Sequence, residues 1–72
     1  MSKEIIKVKD GETYITLNVL LKLSNIILTG GEAKYYLQNH EVYVNDILEN
    51  RRGRKLYPGD KIKVEGREFE II

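Results

Sequence analysis

Apolar residues recur every three or four positions from Leu17 to Ile26 and again from Ala33 to Leu37, then by twos in Val42–Val44, Ile62–Val64 and Phe69–Ile71. The first spacing lines one side of a helix, and the second lines one face of a strand. A chain whose period changes in this way is expected to be α+β, with two packed helices against a small, mostly antiparallel sheet. Its 72 residues predict a single domain over 1–72. A chain of that size buries only about 60% of the surface its unfolded form exposes, so the core must be efficient.

The opening residues, Glu4 to Val8, are short and β-branched, and Lys9-Asp10-Gly11-Glu12 is a turn signal before Tyr14 and Ile15 resume an extended pattern. One or two short strands are expected there. Thr16 is placed to cap a helix from Leu17 to about Asn25. Leu17, Leu20, Leu21 and Ser24 share one face of it, and Val19, Leu23 and Ile26 form a second apolar strip. Only Asn18, Lys22 and Asn25 make a polar stripe, so the helix is expected to pack on two sides. Thr29 and Glu32 have capping-box spacing ahead of a second helix with Ala33, Tyr36 and Leu37 inward and Gly31, Lys34, Tyr35 and Gln38 outward. Glycine at both positions 30 and 31 costs roughly 1 kcal/mol of helix propensity each. Either an anion meets bare amides there, or the turn packs tightly on the first helix. His40 is expected to cap the helix end in a left-handed conformation.

Val42-Tyr43-Val44 reads as a half-buried strand, Asn45-Asp46 as a turn and Ile47-Leu48 as a short return. Pro58-Gly59 suits the centre of a type II turn. Lys61 to Glu65 alternates, Glu65-Gly66-Arg67 turns the chain, and Phe69 and Ile71 alternate again, which predicts a terminal hairpin.

Between these strands lies Asn50-Arg51-Arg52-Gly53-Arg54-Lys55, four cations in six residues. The chain has 12 basic and 11 acidic residues, so without these four it holds 8 against 11 and sums to −3. Positive charge concentrated in one place suits a phosphate backbone, whose neutralisation releases condensed counterions. The absence of cysteine removes disulfides and thiolate metal sites and fits a reducing cytosol. A single histidine supports neither a histidine metal site nor a redundant catalytic triad. Met1-Ser2-Lys3-Glu4 is not followed by a long apolar run, so no signal peptide is expected. No apolar run approaches the ~20 residues of a membrane span. Neither paired carboxylates nor a nucleophile–base pair is visible, so no catalytic or metal-binding residue, no cofactor and no enzyme activity is expected.

Two helices, a strand ending Val42-Tyr43-Val44-Asn45, the Pro58-Gly59-Asp60 turn and an alternating strand resemble the S4-like RNA-binding domain (the αL motif). The match runs from 17 to 64, preceded by the short N-terminal β segment. It rests on Leu17, Leu20 and Leu21, on Thr29 to Lys34, on Leu37, on Val42, Val44 and Asn45, and on Leu56, Gly59, Asp60, Ile62 and Val64. The Asn50-Arg51-Arg52-Gly53-Arg54-Lys55-Leu56 segment is similar to that of short stand-alone bacterial members, the YaaA-type proteins linked to ribosome maturation. Many members carry arginines at the start of the first helix and after the Ser/Thr cap, where this chain has Thr16 and Gly30, and glycine where it has His40 and Asp46.

The resemblance implies RNA contact through Lys22, through Thr29, Gly30, Gly31 and Lys34, and through Arg51, Arg52, Arg54 and Lys55. Tyr35 and Tyr43 point away from the expected core and either stack on unpaired bases or cover a thin edge; Tyr14, Tyr36 and Tyr57 are assigned to the core or its margin. The expected partner is structured RNA, in particular ribosomal RNA of the large subunit, on ribosomal particles. The expected state is a cytoplasmic monomer with no membrane and no small-molecule substrate. The alternative is a protein adaptor whose basic loop docks an acidic partner, with Glu41, Asp46 and Glu49 as a second face.

Overall fold

Among residues 3–72, which the computed structural model describes, seven strands and two helices form. Met1 and Ser2, where the expected leaderless N-terminus and single domain begin, lie outside the described residues. In chain order the elements are β1 (Lys3–Ile6), β2 (Ile15–Thr16), α1 (Leu17–Leu23), α2 (Glu32–Asn39), β3 (Val42–Val44), β4 (Ile47–Leu48), β5 (Lys55–Leu56), β6 (Lys61–Val64) and β7 (Arg67–Ile71). Five strands make one sheet in the order β1-β7-β6-β3-β4, while β2 and β5 pair separately. All pairings are antiparallel except β1 with β7. The α+β class expected from the period change is the class observed.

Register follows from burial and turn chemistry. Val42 faces Val64, Val44 faces Ile62, and Ile62 faces Phe69, all buried. Slipping any of these strands by one residue would turn its apolar set to solvent. Two turns supply the positive φ angles that two-residue hairpins need: Asn45 and Asp46 at 52° and 68°, Glu65 and Gly66 at 48° and 80°. Gly59, at 101°, follows Pro58 as a type II turn requires, and Asp60 N donates to Tyr57 O at 2.9 Å. Asn45 Nδ2 also donates to Asp60 Oδ1 at 3.0 Å, and Lys61 N to Asn45 Oδ1 at 3.0 Å. The Asn45 and Asp60 of the sequence pattern therefore meet, and they lock the first hairpin to the turn that starts β6.

Both helices bury one face on this sheet. Leu17, Leu20 and Leu21 of α1 and Ala33 of α2 are fully buried, and Leu37 nearly so. Ser24 is buried with them and donates to Leu20 O at 2.8 Å. Thr16 caps α1, its Oγ1 accepting from Val19 N at 3.4 Å. The second apolar strip does not pack: Val19 is 39% and Leu23 59% exposed, with only Ile26 partly buried against the core. Seven residues are two turns of helix, and only the sheet side has a layer to cover them.

Two further expectations are corrected. Thr29 does not cap α2 through its hydroxyl, because Gly30 and Gly31 insert a turn in which Thr29 O itself accepts from Glu32 N at 3.1 Å. Only the returning half of the capping box forms, Glu32 Oε1 accepting from Thr29 N at 3.1 Å and Leu28 N at 3.2 Å. His40 does end α2, but with φ −136° it is extended, not left-handed. Its ring stacks on Tyr36 with centroids 4.3 Å apart, and Nδ1 lies 2.9 Å from Glu65. Those contacts favour the extended backbone. At the sheet edge, Arg67 joins β7 to β1 through Glu4, at 2.7 and 2.8 Å, and to the end of α1 through Ser24 O at 3.1 Å.

Candidate nucleic-acid interface

The basic segment leaves β4 and returns as β5, and its backbone docks on the start of α1. Leu17 N donates to Arg54 O and Asn18 N to Arg52 O, each at 2.9 Å. Two amides left without an intrahelical partner at the helix start are satisfied by the loop's own carbonyls. Arg54 N donates to Arg51 O at 3.1 Å, so Arg51 to Arg54 is a closed turn with Gly53 at its tip.

Beneath that turn sits Glu49, 7% exposed. Arg51 reaches it with Nε at 2.9 Å and a terminal nitrogen at 3.2 Å, its backbone N donates at 3.1 Å, and Arg54 adds a bond of 2.8 Å. The Arg51 guanidinium, opposed by burial and seconded by Arg54, holds the Glu49 carboxyl at about 2, below its usual 4.5. The acidic second face expected from Glu41, Asp46 and Glu49 therefore loses Glu49, which is covered because it is the counter-charge of the loop. An acid two residues before the first arginine was the sequence signal for this pairing.

The cations consequently divide. Arg51 and Arg54 are held by Glu49, whereas Arg52, Lys55, Lys34 and Lys22 form no ion pair among the described residues. The loop stands as a ridge between two open grooves. One, of about 720 Å³, runs between the loop and α2 and is lined by Lys34, Gln38, Asn50, Arg51 and Arg52. The other, of about 580 Å³, is lined by Arg51, Arg54, Lys55, Tyr57 and Asp60. Arginine forks and lysine point charges flanking a groove match the geometry of phosphate oxygens.

The structure brings Lys34 to Arg51 and Arg52, which lie far apart in sequence. Asn18 links this site to the glycine turn: a Cβ on Gly30 would lie 3.3 Å from Asn18 Nδ2, while one on Gly31, which has ordinary helical angles, would lie 4.0 Å from Thr29 Oγ1. Gly30 thus follows the tight-packing alternative. Lys22 is exposed one turn beyond Asn18 on the same stripe of α1. Thr29 lies at the α2 entrance, where the Glu32 carboxylate already takes two amides. Tyr35 is 65% exposed but borders a hollow with Ile26, Tyr36 and His40, apart from the loop. Tyr43 is half-buried, and its hydroxyl donates to Glu41 at 3.1 Å, which together with the Glu41 charge raises its pKa. Gln38 and Asn18 join the site without having been singled out for it, since a polar side chain on a polar stripe carries no distinguishing pattern.

A hairpin-rich sheet, two short helices and a pinned basic turn between β4 and β5 define a small domain with one charged ridge. Residues 6–72 match the family model described as S4 domain, and the chain belongs to that family. It is also 58% identical over 59 residues to the probable ribosome maturation protein RlbA of Bacillus subtilis (strain 168). That alignment covers 81% of this chain and 83% of the relative.

Proposed function

We propose that this protein binds structured RNA without catalysing a reaction, and that its RNA is ribosomal RNA in maturing particles. The carrying observation is the convergence of Lys34, Arg52 and Lys55, none of them in an ion pair among the described residues, around the ridge pinned by Glu49. Membership of the S4 family supports RNA as the ligand, and the printed name of the Bacillus relative supports ribosome maturation as the setting. Action on the large subunit, as a cytoplasmic monomer with no cofactor and no small-molecule substrate, belongs to the same reading. The adaptor alternative is weakened because one of its three acids is buried under arginines.

Phosphate contacts by Arg52, Lys55 and Lys34 would orient the RNA across the ridge, and Lys22 extends the contact along α1. Arg51 and Arg54 are fixed in advance by Glu49, so their donors not facing the carboxylate are presented with little conformational entropy left to lose. Filter binding to a structured ribosomal RNA fragment at low salt tests this reading. Binding that weakens at least several-fold in the Lys34→Ala, Arg52→Ala double variant is expected. No binding by the natural protein, or equal binding by the variant, would sink it.

A further inference from the structure

The two-residue ladder of β2 and β5 has an outer face with an arrangement of its own. Ile15 pairs with Leu56, both buried, and Thr16 pairs with Lys55. Side chains alternate across a strand, so the face opposite Ile15 and Leu56 carries Thr16 and Lys55. Extending the antiparallel register by one step puts Tyr14 opposite Tyr57 on that same outer face. Their rings do meet, with centroids 5.8 Å apart and planes tilted by 51°. Lys55 Nζ stands 5.1 Å from the Tyr14 centroid. Tyr14 is 37% and Tyr57 45% exposed, and neither hydroxyl has a hydrogen-bond partner among the described residues.

We propose that the Tyr14–Tyr57 pair with Lys55 is a stacking site for an unpaired base, beside the groove that holds the RNA backbone; this rests on the RNA reading above. Tyrosine that merely covers a core would turn its ring inward, yet here the buried positions are taken by Ile15 and Leu56. The site is continuous with the basic ridge, because Tyr57 lines the same groove as Arg51, Arg54 and Lys55. An unpaired base presents a π-face to tyrosine, and its 5′ and 3′ phosphates lie within reach of flanking cations. The acid in this groove, Asp60, is occupied: it accepts from Tyr57 N at 2.8 Å and from Asn45 at 3.0 Å. The site therefore selects a junction, with a paired segment on the ridge and a single-stranded nucleotide at its end. Tyr35 and Tyr43, the aromatics left between stacking and covering an edge, have no cation over their rings among the described residues.

Two RNAs with one stem separate the possibilities, one blunt and one with a short unpaired extension carrying 2-aminopurine. The natural protein is expected to bind the extended RNA more tightly and to quench the 2-aminopurine. The Tyr14→Leu, Tyr57→Leu variant should lose roughly tenfold on the extended RNA, within the range of single-base stacking, and at most twofold on the blunt stem. The Tyr14→Phe, Tyr57→Phe variant should keep both affinities, since stacking needs the ring and not the hydroxyl. Absence of quenching in the natural protein, or equal losses on both RNAs by a Leu variant that melts like the natural protein, overturns the stacking site while leaving the RNA reading intact. Failure of the natural protein to bind either RNA overturns both.

Discussion

At the scale of single residues, Glu49 shows how a basic loop becomes a defined surface. A nearly buried carboxylate that accepts four hydrogen bonds from Arg51 and Arg54 fixes the turn before any ligand arrives. Its pKa, lowered from 4.5 to about 2, makes that contribution dependent on pH. A carboxyl with a depressed folded pKa stabilises fully above its unfolded value and loses that stabilisation as pH falls through the folded one. Between about pH 4.5 and pH 2 the natural protein should therefore lose stability faster than Glu49→Gln, and thermal midpoints across that window should converge at the acid end. Parallel pH profiles would show that Glu49 contributes nothing. The paired glycines give a second comparison. Gly31 has helical angles and a Cβ there would meet only Thr29 Oγ1, at an ordinary 4.0 Å, so Gly31→Ala should stabilise by about 0.4–1 kcal/mol in urea unfolding. Gly30→Ala presses on Asn18 Nδ2 at 3.3 Å and should show no such gain. Equal gains at the two positions would contradict the docking of Gly30 on α1.

At the scale of elements, a ladder of only two residue pairs controls the most important loop. Leu56 is fully buried in the two-residue β5, directly after the basic turn whose carbonyls hold Leu17 N and Asn18 N. Leu56→Ala should cost about 2–5 kcal/mol, as for other buried leucines. Hydrogen exchange should speed up first at the amides of Leu17 and Asn18, which report the loop's attachment; a uniform increase across the sheet would place the damage in the core alone. How far these elements can be read from sequence follows from the same physics. Alternation at Ile62, Val64, Phe69 and Ile71, with turn residues between, determines strand, face and register together, so the terminal hairpin is legible in full. The apolar circumference of α1 is not: leucines at Leu20 and Leu23 look alike, and only the finished packing decides that one is buried and the other 59% exposed. Asn45 and Asp60 each stand out in the sequence pattern, but that they pair across fifteen residues is visible only in the fold.

At the scale of the whole molecule, the net charge of +1 conceals a separation of charge. Four cations less Glu49 leave the ridge at +3, and Lys34 arrives from α2 to extend it. The basic segment was legible in the sequence as a candidate site, because charge density needs no fold to be seen. Its division into pinned and free cations was not, since that depends on Glu49 lying under the turn. This division sets the central quantity. If Arg52, Lys55 and Lys34 each neutralise one phosphate, log K should fall against log salt with a slope of about −2.7. The most direct measurement is that salt titration, made with a structured ribosomal RNA fragment on the natural protein, Arg52→Ala and Arg51→Ala. The expected result is a slope shallower by about 0.9 in Arg52→Ala and a smaller change in Arg51→Ala. Binding indifferent to salt, or a slope that Arg52→Ala leaves unchanged, would contradict the account of the ridge as a phosphate-binding surface.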